Sequence, residues 1–201
     1  RCCQCVILLS LCDCWFEHTQ VWQVLSVASL SLGSNGMNIV TPRLRLRPLS
    51  LDDKHWILTL NRDPLWLKFI GCKSIFTLQD ACDYIARTNA QRDEWGYGLC
   101  AVECQSTGNP LGVCGLFNRF SFRCPDLGFA LLPEGRGKGV ANEACQGVMA
   151  WAKQQGFDFL TAMTHPHNVA SQQLLVSLGF HKHGFYADKG FDVQHLYWLK
   201  F

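Results

Sequence analysis

Residues 134–141 read Glu-Gly-Arg-Gly-Lys-Gly-Val-Ala, with a glycine at every second position from Gly135 to Gly139. It follows an apolar run over residues 127–132, typical of a buried strand, and it leads into a helical pattern over residues 140–155. The first N–H groups of a helix have no partner inside the helix and lie at the positive end of its dipole. Glycines let the backbone approach a phosphate closely, and Arg136 and Lys138 add positive charge. The segment therefore predicts a site for a ligand that carries a diphosphate.

The glycine spacing separates this loop from two common phosphate-binding motifs. A Walker A loop requires Gly-x-x-x-x-Gly-Lys-Ser/Thr, whereas here Gly137-Lys138 is followed by Gly139. The dinucleotide pattern Gly-x-Gly-x-x-Gly/Ala also fails, because its last position falls on Val140 or Asn142. Composition alone leaves open a glycine-rich turn that binds no ligand.

The chain divides by composition near its first methionine, Met37. Residues 1–36 hold three charged side chains and five of the twelve cysteines, and their longest apolar run covers residues 5–12. That run is too short to cross a membrane, which takes about 20 residues, and its Cys and His spacing matches no metal site. We therefore predict that residues 1–36 are an extension, either upstream read-through or poorly ordered, and that residues 37–201 form one domain without metal.

Between Met37 and the C-terminus, strand and helix patterns follow the order β-α-α-α-β-β-β-α-β-α-β-β. Ser50 with Asp53, and Thr77 with Asp80, have the spacing of a capping box and predict two helix starts. The order predicts an α/β (α+β) fold in which a mixed central sheet of about seven strands carries helices on both faces. It excludes a doubly wound sheet, which requires regular β-α alternation.

Five segments together resemble the GNAT family of N-acetyltransferases. Residues 136–141 match Arg/Gln-x-x-Gly-x-Gly/Ala, which resembles the family's acyl-CoA pyrophosphate signature. Residues 126–134 resemble its pantetheine-contacting strand, and residues 165–180 resemble its Asn-x-x-Ser helix ending in Leu-Gly-Phe. Residues 41–48 and 108–116 resemble its first and third strands. The resemblance spans about residues 38–201 and is closest to the Rim-type branch, which acetylates the N-termini of ribosomal proteins.

The resemblance implies direct acetyl transfer from acetyl-CoA to a primary amine, either a protein N-terminal α-amine or a small-molecule amine, within a ternary complex. It implies a GNAT fold whose sheet is splayed at the acyl-CoA site, with pantetheine in the gap and a backbone N–H that polarises the thioester carbonyl. The residues expected to bind acetyl-CoA are Leu131, Leu132, Arg136, Gly137, Lys138, Gly139, Val140, Ala141 and Asn168.

The proton-transfer groups are less evident from the motifs. Asp126 stands where relatives often carry a glutamate and is the candidate base; the alternative is a solvated carboxylate at a strand end. His165 is a weaker candidate. Many relatives have a tyrosine that acts as the general acid where this chain has Leu175. Ser171 is therefore the candidate acid, Tyr186 is a weaker candidate, and water is the alternative proton source.

Composition limits the partners and the compartment. A net charge of +2 gives no support for nucleic-acid binding. Seven cysteines after Met37, without a credible secretion signal, indicate packed free thiols in a reducing compartment, so we expect a cytoplasmic monomer or homodimer with no membrane partner. Specificity is expected in residues 51–95 and 186–193. Because the tyrosine is missing, the alternative function is a catalytically weak or inactive acyl-CoA-binding or sensing module.

Overall fold

Eight strands form one mixed sheet in the computed structural model, which describes residues 37–71, 75–118, 124–187 and 193–201. The order across the sheet is β1-β2-β3-β4-β5-β6-β8-β7, and every neighbouring pair is antiparallel except β5 and β6, which are parallel. The strands are β1 Ile39–Val40, β2 Leu44–Pro48, β3 Leu99–Cys104, β4 Pro110–Phe117, β5 Asp126–Leu131, β6 Phe159–Thr164, β7 His181–Tyr186 and β8 Gln194–Lys200. The prediction for residues 1–36 lies outside the described residues.

Five α-helices cover the sheet: α1 Lys54–Asn61, α2 Pro64–Phe69, α3 Leu78–Trp95, α4 Val140–Gln154 and α5 Val169–Ser177. Both predicted capping boxes are present. The first one opens a short 3-10 turn, Leu51–Asp53, and α1 begins only after that turn. The predicted mixed sheet with helices on both faces is confirmed. The eighth strand is the two-residue β1, which is too short to produce an alternating sequence pattern.

Strand alternation divides the buried side chains into two cores. In β3, Cys100 and Val102 face one side, where they pack with residues of α4 and α5. Leu99 and Ala101 face the other side, where they pack with residues of α1, α2 and α3. We call these the α4–α5 core and the α1–α3 core. Each strand residue can therefore be assigned to a side of the sheet by its register.

The thiols expected to pack as small apolar groups do so in part. Cys100, Cys114 and Cys145 are buried, whereas Cys82, Cys104 and Cys124 are partly exposed, and all six are free. Burial raises the pKa of the Cys100 thiol to about 12, so this group remains neutral. The predicted packing role therefore fits the three core cysteines and does not fit Cys104.

The sheet opens between β5 and β6. These strands pair at only two positions, Asp126 with Thr161 and Leu127 with Ala162. On its other edge, β5 pairs with β4 along its whole length from Asp126 to Leu131. The last four residues of β5 therefore present one edge to a gap instead of to a strand, and this gap positions the site.

Candidate active site

A cleft lies where β5 and β6 separate. It has a volume of about 130 Å³ and is lined by side chains of both cores, so it extends through the sheet from one side to the other. Residues of α2, α3, β3 and β4 line one side, and residues of α5 line the other side. The lining residues include Trp66, Phe69, Tyr84, Phe117, Asp126, Phe129, Thr164, His165, Asn168 and Ser171.

The edge of β5 directs main-chain groups into the gap. The N–H of Leu132 donates to Leu111 on the β4 side at 2.9 Å, and its C=O accepts from Gly135. Because backbone groups of consecutive strand residues point to opposite edges, those of Leu131 and Phe129 point toward the gap. The direction is visible at the Leu131 carbonyl, which accepts from Arg136 Nη2 at 2.8 Å. A polar ligand in the gap would therefore meet the main chain of Phe129 and the N–H of Leu131.

The glycine loop ends at the start of α4. Gly139 is the N-cap of this helix with φ 74, and Gly137 has φ 70, both in the left-handed region that favours glycine. Nothing lies within 4 Å of the position that a Cβ of Gly137 would occupy. The N–H groups of Val140 and Ala141 belong to the first helical turn, which has no intrahelical acceptor for them. The loop thus presents open backbone donors to an anion.

Asp126 is buried at the start of the gap. Its side chain is on the α1–α3 side, because the next residue, Leu127, belongs to the α4–α5 core. The residue is 1% exposed, and Thr161 Oγ1 donates to its Oδ1 at 3.1 Å. The alternative of a solvated carboxylate is therefore wrong, and the carboxylate lies in the cleft wall.

Known proteins resemble this chain in sequence over most of the domain that holds the cleft. Residues 43–181 match the family model of the acetyltransferase (GNAT) domain. The chain belongs to the GNAT family. Two relatives are described as uncharacterized N-acetyltransferases: YnaD of Bacillus subtilis, 22% identical over 75% of this chain and 86% of that protein, and p20 of Bacillus licheniformis, 27% identical over 75% and 85%. The chain is an N-acetyltransferase, and acetyl-CoA is the acetyl donor of its family.

Solved structures share the GNAT fold. An acetyltransferase from Agrobacterium tumefaciens superposes with a TM-score of 0.71 at 22% identity, covering 82% of this chain and 95% of that one. RimL, described as a ribosomal L7/L12 alpha-N-protein acetyltransferase in complex with coenzyme A, superposes with a TM-score of 0.69 at 16% identity, covering 82% and 98%. The expected GNAT fold with a splayed sheet is therefore confirmed.

Arg136 of the GNAT loop holds the loop to α2. Its Nε and Nη2 donate to the Leu131 carbonyl, and Nη2 lies 2.7 Å from Asp63 Oδ1. Asp63 is the N-cap of α2 and accepts from the N–H groups of Leu65 and Trp66. Burial favours the neutral acid, but the hydrogen bonds from Arg136 and from these N–H groups outweigh it and lower the pKa of Asp63. The cationic group that the sequence assigned to phosphate thus has partners within the protein.

Lys138 and Arg43 define the other side of the loop. The Lys138 side chain is exposed, while its carbonyl accepts from Arg43 Nη1 at 2.9 Å. Arg43 also pairs with Glu143 in the first turn of α4 at 2.6 Å, and Thr41 Oγ1 donates to the same carboxylate. Burial alone would raise the pKa of Glu143, but these hydrogen bonds lower it. Lys138 is consequently the cation that the loop presents to solvent.

One ring nitrogen of His165, Nδ1, is already occupied as a hydrogen-bond acceptor. Its Nδ1 accepts from the N–H of His167 at 3.1 Å, and its ring centroid lies 5.7 Å from that of Phe69. A neutral imidazole whose Nδ1 accepts carries its proton on Nε2. His165 is therefore arranged as a donor, which disfavours it as the base.

The start of α5 places two predicted residues at the cleft. Asn168 is the N-cap, and its Oδ1 accepts from the Ser171 N–H at 3.2 Å. Both line the cleft, whereas Tyr186 is not among the lining residues. Leu175, at the position of the family tyrosine, is 1% exposed and also lines the cleft. The sequence missed Phe129, although strand alternation from Leu131 would have identified it.

The described residues contain neither a membrane-spanning helix nor a cluster that could bind a metal ion. None of their helices combines the length and the apolar character needed to span a bilayer. None of their His, Cys, Asp and Glu side chains come together in a group of three that could hold a metal ion.

Proposed function

We propose that the chain transfers an acetyl group from acetyl-CoA to a primary amine by direct attack in a ternary complex. Both substrates would bind in the cleft between β5 and β6. One observation carries this proposal: the cleft reaches both cores at an edge of β5 that directs the backbone of Phe129 and Leu131 into the gap. A thioester and an amine can therefore approach from opposite faces. Holding the two together supplies the proximity that accelerates the reaction.

The cofactor would lie along the loop and the open strand edge. Its diphosphate would accept from the N–H groups around Gly137, Gly139, Val140 and Ala141, with Lys138 as the neighbouring cation. Its pantetheine arm would pair with Leu131 and Phe129, and Asn168 would contact it from α5. Both main-chain groups of Leu132 have partners in the protein, and its side chain is buried in the α1–α3 core. Leu132 therefore supports the site without a free main-chain donor, and the Nε and Nη2 groups of Arg136 are bound to Leu131 and Asp63.

The main chain at Phe129 would stabilise the charge that develops on the thioester oxygen, because an N–H in a dry gap is already oriented toward it. Asp126 would accept the proton of the attacking amine. An α-amine, with a pKa of about 7.7–8.0, needs less help than a lysine at about 10.4. Ser171, or a water beside it, would return a proton to the departing thiolate.

The acceptor is the finer part of the proposal. The resemblance to the Rim-type branch favours a protein N-terminal α-amine, and a small-molecule amine is the second candidate. The same resemblance and the free thiols favour the cytoplasm, with the chain as a monomer or homodimer formed by a domain over residues 37–201.

The test is release of free thiol from acetyl-CoA in the presence of a panel of amines, with mass spectrometry to identify the product. Asp126→Asn should lower kcat/KM about 100-fold, as loss of a general base does. Asp158→Asn, at an exposed aspartate outside the cleft, is the matched control and should change nothing. Binding of acetyl-CoA without release across a broad panel would contradict the proposal and indicate a binding or sensing module.

A further inference from the structure

Two residues in the cleft wall carry buried polar atoms without a hydrogen-bond partner. Among the described residues, four buried side-chain atoms lack a partner, and two of these are Trp66 Nε1 and Thr164 Oγ1. Both residues line the cleft, and each is 6% exposed. A buried donor without a partner is costly, so such an atom requires an explanation, and a bound ligand is one.

The two atoms lie on opposite sides of the sheet. Trp66 is part of the α1–α3 core. Thr164 follows Leu160 and Ala162 by the two-residue period of a strand, and those residues belong to the α4–α5 core. Trp66 therefore shares its side with Asp126, the proposed base. We call this side of the cleft, lined by Trp66, Phe69, Tyr84, Phe117 and Asp126, the acceptor wall.

The acceptor wall is aromatic and carries little charge. Asp126 is the only Asp, Glu, Lys or Arg among the cleft's lining residues, which disfavours a substrate with several positive charges. The Tyr84 hydroxyl already bonds with Thr88. The indole N–H can only donate, so a ligand that satisfies Trp66 must bring an acceptor atom. An oxygen close to the reacting amine is the group this wall lacks.

We propose that Trp66 Nε1 donates a hydrogen bond to a carbonyl oxygen adjacent to the amine of the acceptor. Trp66 is then a specificity-determining residue that selects α-aminoacyl groups, such as a peptide N-terminus with an uncharged first side chain, over plain alkylamines. The inference rests on the proposed acetyl transfer and deepens it by naming the group that is recognised.

The experiment compares two substrates of the same shape, each with one ionisable amine. One is a neutral tripeptide amide that begins with alanine; the other replaces its first peptide bond by a trans-alkene, which removes the carbonyl oxygen. When rates are expressed per concentration of neutral amine, the wild-type protein should prefer the peptide by about tenfold in kcat/KM, the effect of one hydrogen bond to an otherwise unpaired buried donor. Trp66→Phe should reduce this preference to about one, because phenylalanine keeps the apolar surface and lacks the donor. The different basicity of the two amines affects both proteins equally.

Trp56→Phe is the matched control. The Trp56 indole donates to Asp53 Oδ1 at 2.9 Å and does not line the cleft, so this variant should keep the tenfold preference. Equal preference in wild type and Trp66→Phe, or no preference in wild type, would overturn the inference.

A second measurement, on the wild-type protein alone, tests the same hydrogen bond if Trp66→Phe does not fold. In wild-type protein labelled with ¹⁵N-tryptophan, the Trp66 indole N–H resonance, assigned from its NOEs, should move downfield with the peptide and not with the alkene. Identical responses would also overturn the inference. Acetylation of other amines but of neither probe would overturn it and leave the proposed function intact, whereas no acetylation of any amine would overturn the proposed function.

Discussion

Replacing Gly137 by valine should separate backbone strain from cofactor binding. Gly137 has φ 70, and nothing lies within 4 Å of its Cβ position, so the cost to the free protein is conformational rather than steric. A left-handed non-glycine residue costs about 1–2 kcal/mol. For a chain of this size, that corresponds to a fall in Tm of about 2–8 °C.

The open space beside Gly137 is where a diphosphate would approach the loop. The valine side chain would fill it and remove at least one charge-assisted hydrogen bond, worth about 1.5–3 kcal/mol. The Kd for coenzyme A, measured by isothermal titration calorimetry, should therefore rise about tenfold to 150-fold. Gly156→Val is a close control, because Gly156 has φ 84, equally open surroundings and a place beyond the far end of α4. It should lose similar stability and bind coenzyme A normally. Equal Kd values for both variants would refute the assignment of the loop.

Three other outcomes follow from the contacts. The hydrogen bonds from Arg47, Ser50 and Trp56 lower the pKa of Asp53 despite its burial. Its stabilising contribution is therefore complete above about pH 4 and is lost as the pH falls through the lowered value. Asp53→Asn should destabilise the protein by about 3 kcal/mol and flatten the acid limb of the plot of unfolding free energy against pH, measured by denaturant unfolding at each pH. Hydrogen bonds from Ser106 and Thr107 lower the pKa of Cys104 to about 7. Because the thiolate is the reactive form, the rate of its alkylation by iodoacetamide should reach half of its maximum near pH 7. Asp63→Asn should raise KM for both acetyl-CoA and the amine, because its carboxylate contacts both the glycine loop and α2.

Each of these outcomes has a result that would contradict it. An unchanged acid limb in Asp53→Asn would mean that the Arg47 pair does not set the acid stability. If Cys104→Ser left the fast alkylation phase intact, another thiol would be responsible. If Asp63→Asn raised only one of the two KM values, the carboxylate would not link the two sides.

Local signals predicted most of the fold. The two capping boxes, the apolar run over residues 127–132 and the helical pattern over residues 140–155 are short-range patterns, and each corresponds to a helix or strand near its predicted place. Patterns of this kind do not encode β1, whose two residues pair with β2 only because the chain turns back at Pro42. The sheet order and the parting of β5 from β6 depend on contacts between distant residues. The family resemblance predicted the parting, and nothing in the sequence predicted the strand order.

The parts of the site formed by the main chain were predictable from the sequence, whereas the partners of its side chains were less so. Gly137 and Gly139, which the loop motif identified, adopt left-handed conformations that favour glycine. Arg136 was expected to face phosphate, but Asp63 lies 73 positions earlier in the chain, and no local pattern reveals that pair. Similarly, the burial of Asp126 depends on its long-range partner Thr161. Charge in a loop therefore predicts a potential ligand, and the fold decides whether that charge has another partner.

The Asp63 carboxylate connects the two halves of the proposed reaction. Its Oδ1 lies 2.7 Å from Arg136 Nη2 in the glycine loop and accepts from the N–H of Trp66, the residue whose indole lies in the acceptor wall. Arg136 in turn holds the Leu131 carbonyl at the edge of the gap. Arg136 therefore contacts both β5 and the start of α2, so displacing the loop from β5 would also disturb its contact with Asp63. In the proposed ternary complex, this shared anchor would help to hold the cofactor edge next to the acceptor wall.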